Sequence, residues 1–210
     1  MSSGTTTNSN NPWDERYADE SVFIYGTEPN DFLKEKLPSL NLPSGAMCLL
    51  IADGEGRNGV YMAQQGYKVT SVDYSQAGLN KADALAKQKG VDLTTVLADL
   101  GEYDLGTDQW DCIVGIFCHM PPPVRSKVLK DIPDSLKSGG VFLLECYNPE
   151  QPKYKTGGPA TGEMCYSASL LSEAFEGKLH IERNEELVRN VVEGTHHTGM
   201  GAVIQFIGRK

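Results

Sequence analysis

The chain has 210 residues, 28 acidic against 19 basic, and a formal net charge of −9. That length suits one compact domain, and no apolar run nears the roughly 20 residues that a bilayer-spanning helix needs. The acidic balance opposes a phosphate backbone, so general nucleic-acid binding is not expected.

Residues 1–12, MSSGTTTNSNNP, have neither the basic start nor the apolar stretch of a secretory signal, and they read as a disordered tail. AMCLLIA (46–52) is a continuous apolar strand ending in a glycine-rich turn. Residues 58–66 then read as a helix closed by Gly66, and 67–73 as a second strand. A helix from Ser75 to Gly90 places Ala77, Leu79, Ala82, Leu85 and Ala86 on one side. Residues 91–99 form a third strand, and 110–118 a fourth that is apolar enough to be central. A proline-started helix covers 121–137, with Pro133 as an expected kink. A fifth strand occupies 141–147, followed by a Gly/Pro-rich loop to about residue 162. A helix near 167–176 and strands near 179–190 and 201–208 complete the chain. Strands alternating with helices predict a parallel sheet covered on both faces, and the final strand pair predicts an antiparallel hairpin.

Five cysteines stand at 48, 112, 118, 146 and 165, with no C-x-x-C pair. No metal site is expected; reduced core thiols in a cytoplasmic protein are.

Open parallel sheets bind ligands at the carboxyl ends of their strands. After the first strand stands Ala52-Asp53-Gly54-Glu55-Gly56-Arg57-Asn58-Gly59; after the second, Asp73; after the third, Asp99; after the fourth, Phe117, Cys118 and His119. Gly54, Gly56 and Gly59 satisfy G-x-G-x-x-G, which by itself supports a dinucleotide. Acids inside the loop oppose a pyrophosphate. They suit a cofactor with a ribose, an adenine and positive charge: Asp73 would accept ribose hydroxyls and Asp99 the adenine amino group.

These segments, together with WDERY (13–17), YGTEPNDFL (25–33), QQGYKVTSVDYS (64–75), LKSGGVFLLE (136–145), TGGP (156–159) and GTHHTG (194–199), resemble class I S-adenosylmethionine (SAM)-dependent methyltransferases. Within that class the chain is similar to the tellurite-resistance (TehB) group and its small cyanobacterial relatives. It departs from the broad pattern at Leu50, where an acid is usual, and at Ala52, where the first glycine is usual. Asp53, Glu55 or backbone carbonyls are then the candidates for holding the methionine amino group.

The resemblance implies an α/β, Rossmann-like seven-strand sheet of order 3-2-1-4-5-7-6 with strand 7 antiparallel and helices on both faces. It implies a single methyltransferase domain over 13–210, whose segment 13–40 is a lid over the site. Expected cofactor-binding residues are Trp13, Arg16, Tyr17, Asp53, Gly54, Glu55, Gly56, Arg57, Asn58, Asp73, Tyr74, Ser75, Asp99, Leu100, Phe117 and Cys118. His197 and His119 are the candidate acceptor-side bases, with Tyr25 near them, and Arg125 is a candidate for holding an anionic acceptor, as are Arg57, Arg183 and Arg189. His196 is expected to be solvated. The implied reaction moves a methyl group to a small soft acceptor, a sulfur compound or a selenium or tellurium oxyanion, and leaves S-adenosyl-L-homocysteine (SAH). An O- or N-methyltransferase is the alternative; a nicotinamide-dependent oxidoreductase and a non-catalytic SAM-binding protein are further ones. The protein is expected to act as a monomer or homodimer.

Overall fold

The computed structural model describes residues 11–194 and 197–210. Seven strands form one sheet: β1 (Met47–Ile51), β2 (Lys68–Asp73), β3 (Thr94–Leu97), β4 (Trp110–Ile116), β5 (Leu136–Tyr147), β6 (His180–Glu193) and β7 (His197–Arg209). Their order is β3-β2-β1-β4-β5-β7-β6. The first five run parallel, while β7 pairs antiparallel with β5 and with β6, as the two consecutive terminal strands required.

Six α-helices accompany the sheet among the described residues: α1 (Pro12–Tyr17), α2 (Asp31–Lys36), α3 (Arg57–Gln64), α4 (Gln76–Lys89), α5 (Pro122–Ser135) and α6 (Ala168–Phe175). Ser75 caps α4 by accepting from the Gly78 N–H, satisfying one of the donors a helix start leaves open. Gly90 ends α4 in the left-handed region. Pro133 falls in the last turn of α5, and the helix stops two residues later. One core layer joins Leu49, Ile113, Phe142, Leu144 and Phe206 to Val128, Leu171 and Phe175. The other joins Cys48, Leu50, Val114 and Leu143 to Phe32, Leu33, Leu37, Leu40 and Met62.

Five expectations change. The fifth strand starts at Leu136, where the sequence reading kept a helix to residue 137 and began the strand at 141. Up to residue 10 the expected tail lies outside the described residues, but Asn11 caps α1 and Pro12 opens it. The third strand is only four residues long. The terminal strands reach 14 and 13 residues, longer than the hydrophobic pattern suggested, because their far ends carry polar side chains. Finally, residues 31–40 are part of the core rather than a cover: Leu33 is fully buried in it.

Candidate functional site

The carboxyl ends of β1 to β4 open into a cavity of about 280 Å³. Its floor starts at the β1–α3 loop. Ala52 and Gly54 take φ of +52° and +58°, and the left-handed turn lets Gly54 present its backbone closely. A Cβ on Gly54 would come within 2.8 Å of the Tyr17 hydroxyl, so the glycine also leaves room for the ring that covers it. Asp73, at the end of β2, accepts from Gly54 N–H at 2.8 Å and from Ser75 N–H at 2.9 Å, one on each carboxylate oxygen. Burial raises its pKa, against the pull of those backbone donors. Each oxygen retains acceptor capacity for a ribose hydroxyl. Asp99 is exposed at the end of β3; one oxygen accepts from Gly101 N–H at 2.7 Å. Tyr74, Ala98, Leu100, Met120 and Val124 supply flat or apolar wall beside it.

The covering wall is aromatic. Trp13, Tyr17 and Tyr25 come from the N-terminal segment, Phe117 from the end of β4 and His197 from the start of β7, and all five line the cavity. Tyr25 lies 4.7 Å from the His197 ring, and Phe117 4.9 Å from it, centroid to centroid. Behind them Tyr147 is fully buried, 4.6 Å from Phe117, and its hydroxyl has no hydrogen-bond partner among the described residues.

The N-terminal segment is fastened at three places. The Asp14 carboxylate accepts from Ser75 Oγ at 2.6 Å and from Ala77 N–H at 3.1 Å, which docks α1 on the first turn of α4. Glu55 accepts from Ile24 N–H and Tyr25 N–H at 3.0 and 3.1 Å, and from Lys81 Nζ at 3.0 Å. Lys81 also donates to the Val22 carbonyl at 2.7 Å. Opposite them Gly194, at φ +64°, abuts the Ile24–Tyr25 backbone so closely that a Cβ would land on the Ile24 carbonyl oxygen. A buried polar group ties this region to the sheet: Asn30 Nδ2 donates to Glu145 at 2.7 Å and to Glu193 at 2.6 Å. Arg57 pairs with Glu193, and Arg189 with Glu145.

Trp13, Tyr17, Tyr25, Asp53, Gly54, Arg57, Asn58, Asp73, Tyr74, Asp99, Leu100, Phe117, Cys118, His119 and His197 thus border one cavity, as the sequence reading grouped them. Five others do not. Glu55 is 3% exposed and holds the N-terminal segment, which takes it out of contention for the methionine amino group. Gly56 packs against Ala82, and Ser75 is a helix cap. Arg16 lies over Trp13 at 4.7 Å and bonds the Tyr25 hydroxyl at 3.1 Å. Arg125 turns away to donate to the Glu163 and Cys165 carbonyls. Arg183 bonds Gln205 and pairs with Glu185. With Arg57 and Arg189 paired to buried acids, all four candidate anion holders are engaged inside the protein.

Two acids and bases change character as well. Asp53 accepts from Ser71 Oγ at 2.8 Å and Gly59 N–H at 3.2 Å, both on Oδ2, so its carboxylate turns behind the loop; burial pushes its pKa up to about 7. His119 is 3.1 Å from the Met164 carbonyl at Nδ1, which therefore carries the proton, while Nε2 accepts from Tyr147 N–H at 3.4 Å. Burial lowers its pKa to about 4, and both nitrogens are occupied. His196 lies outside the described residues.

Asn30, Lys81, Glu145 and Glu193 escaped the sequence reading. A glutamate inside the apolar run VFLLECY was the one visible signal, because a charge in a central strand needs partners.

The α/β sheet of order 3-2-1-4-5-7-6 with an antiparallel β7 is the fold that solved SAM-dependent methyltransferases share with this chain. Residues 49–140 match the methyltransferase domain family. A 64-residue stretch is 31% identical to the thiopurine S-methyltransferase of Pseudomonas entomophila; it covers 30% of each protein, so the match spans under a third of that relative. TehB from Haemophilus influenzae superposes with a TM-score of 0.68 at 16% identity over 94% of this chain and 65% of that one. A SAM-dependent methyltransferase from Aquifex aeolicus gives 0.67 at 16%, covering 93% and 97%. A protein solved in work on converting a disulfide bond into a thioacetal group during echinomycin biosynthesis gives 0.74 at 15%, covering 95% and 91%. The cavity would suit SAM: Asp73 and Asp99 line it with acceptor capacity to spare for ribose hydroxyls and an adenine amino group, and the left-handed Gly54 permits close backbone approach.

Proposed function

We propose that this chain transfers the methyl group of SAM to a small, soft acceptor, a thiol or another sulfur compound foremost. The observation that carries the reading is the make-up of the cavity. Acids at two successive strand tips stand at one end, and a closed wall of Tyr25, Phe117 and His197 at the other, inside one small volume. Asp73 would hold the ribose, Asp99 and Leu100 the adenine, and Gly54, Phe117 and Cys118 would border the methionine portion. SAM supplies an activated methyl on a sulfonium. The residues then have to align acceptor and cofactor and keep water out, which the aromatic wall is built to do.

Charge favours the soft acceptor. A thiol needs little help to lose its proton, whereas a hydroxyl or ammonium needs a positioned base. His119 has no free nitrogen for that task, which leaves His197 as the histidine among the described residues that can face the acceptor. The likeness to thiopurine S-methyltransferase and to TehB supports sulfur, selenium or tellurium at the acceptor position. All five cysteines are free and buried, in keeping with a reducing, cytoplasmic setting.

Labelled SAM offered with a panel of thiols, thioethers, selenite, tellurite, small acids and amines tests the reading. Preferred methylation of thiols is expected. Turnover confined to amines or carboxylates would replace it with the N- or O-methyl alternative.

A further inference from the structure

Two cysteine pairs lie in the sheet, and they differ in where they open. Cys48 in β1 stands opposite Cys112 in the parallel β4; both are fully buried in one core layer, and neither lines the cavity. Cys118 and Cys146 sit at the other end of the strands with their sulfurs 3.7 Å apart. Cys146 lies inside β5, opposite Ile204 of β7. Cys118 follows β4 and borders the cavity. Its sulfur rests over Gly115, where a Cβ would come within 2.7 Å of it. A disulfide holds its sulfurs about 2.05 Å apart, so one of the two must advance by about 1.7 Å. The loop that carries Cys118 can supply that movement. Phe117 stands at φ +49°, which a bulky side chain rarely adopts, and His119 N–H closes back on the Phe117 carbonyl at 2.9 Å. Phe117, Cys118 and His119 all border the cavity.

We propose that Cys118 and Cys146 are a site of reversible oxidation by small hydroperoxides that enter through the cavity, and that the bond they form disables the cavity. The Cys118 sulfur attacks one peroxide oxygen and the O–O bond breaks. The thiol proton leaves with the departing oxygen as water or an alcohol, and Cys118 becomes a sulfenic acid. The Cys146 sulfur then attacks the Cys118 sulfur, the S–O bond breaks, and the hydroxyl leaves as water with the Cys146 proton. The thiols lose two electrons in all, and the peroxide gains them. Burial raises the pKa of the Cys146 thiol, which fits it to the second step rather than the first. The new bond pulls the Cys118 loop toward β5. The Cys118 carbonyl is drawn from the Tyr166 hydroxyl, now at 3.0 Å, and His119 from the Met164 carbonyl and Tyr147 N–H. Phe117 moves with them and reshapes the cavity wall.

Peptide mapping without reductant tests this on the full chain, reduced and then exposed to hydrogen peroxide. A Cys118–Cys146 link is expected, reversed by dithiothreitol, with Cys48 and Cys112 left as thiols. Calorimetry should show the oxidised protein binding SAM at least about tenfold more weakly, with recovery on reduction. That measurement rests on the methyltransferase reading; a reduced protein that binds no SAM would remove that reading and leave the linkage map to decide the site. In Cys146→Ala the same treatment should stop at a sulfenic acid on Cys118, which dimedone traps. Five free thiols after treatment, or Cys48 linked to Cys112 as readily as Cys118 to Cys146, overturn the proposal whether or not the variant folds. So does a complete link that leaves SAM affinity unchanged.

Discussion

The two ends of the cavity are built by different means. At the end proposed for the adenosyl group each polar group follows directly from a strand: Asp73 ends β2, Asp99 follows β3, and Gly54 follows β1. Their partners are neighbours in sequence or backbone groups of the adjacent turn. At the end proposed for the acceptor the contacts join distant parts of the chain. Asn30 meets Glu193 across 163 positions, and Glu55 meets Ile24 across 31. The first end is dictated by the sheet; the second exists only when the N-terminal segment and the β6–β7 hairpin both arrive. Perturbing one end should therefore cost cofactor affinity, and perturbing the other, stability and acceptor turnover.

The largest effect is expected from the buried ions of the acceptor end. Arg189→Met leaves Glu145 without its cation, although Asn30 and Gln205 still donate to it. Removing one member of a buried pair typically costs about 3–5 kcal/mol, and a denaturant melt should show it as a lower midpoint. Comparable loss from an exposed pair such as Lys210–Asp108 would break the contrast. At the other end, Asp73→Asn should weaken SAM binding by about 1–3 kcal/mol, the cost of mismatched buried hydrogen bonds, with a smaller loss of melting midpoint than Arg189→Met, because the amide nitrogen can no longer accept from Gly54 or Ser75 N–H. Unchanged affinity by calorimetry would remove Asp73 from the cofactor site.

Gly194→Ala sharpens the comparison further. The position is left-handed and pressed on the Ile24 carbonyl, so a methyl group must push the hairpin tip off the N-terminal segment. A stability loss of about 1–3 kcal/mol is expected, together with a fall in methyl transfer that exceeds the fall in SAM affinity. Equal losses in both would mean that the two ends are one unit.

The smallest effect concerns pH. Asp53 has a folded pKa raised to about 7, so the folded state holds a proton the unfolded chain has released. Stability is then full below its ordinary value of 3.8 and declines as pH rises toward 7. His119 works in the opposite direction: its folded pKa is lowered to about 4, so stability falls as pH drops from 6.5 to 4. The two slopes oppose each other. Asp53→Asn should stabilise the protein by about 1–2 kcal/mol at pH 8 and expose the His119 slope as a steeper acid limb in melts from pH 7 to 4. An unchanged acid limb would show that Asp53 does not titrate as its burial implies.

Legibility follows the same divide. Sheet order, the terminal hairpin and the strand-tip acids could be read from periodicity, glycine turns and the family resemblance, because those features are local. Glu55 and Arg57 could not be assigned, since an acid in a glycine loop looks the same whether it faces a ligand or a lysine 26 positions away. His119 showed the right residue type at the right place, and only the Met164 carbonyl and Tyr147 N–H reveal that its nitrogens are taken.

Tyr147 offers a different consequence. A buried hydroxyl without a partner costs about 1–3 kcal/mol, and a ring without it would keep the contacts to Phe117 and His197. Substitution by phenylalanine is thus open to drift without penalty to the fold, and it offers protein engineers a stabilising change beside the acceptor wall. A lineage that retains the tyrosine does so against a standing thermodynamic incentive to lose it.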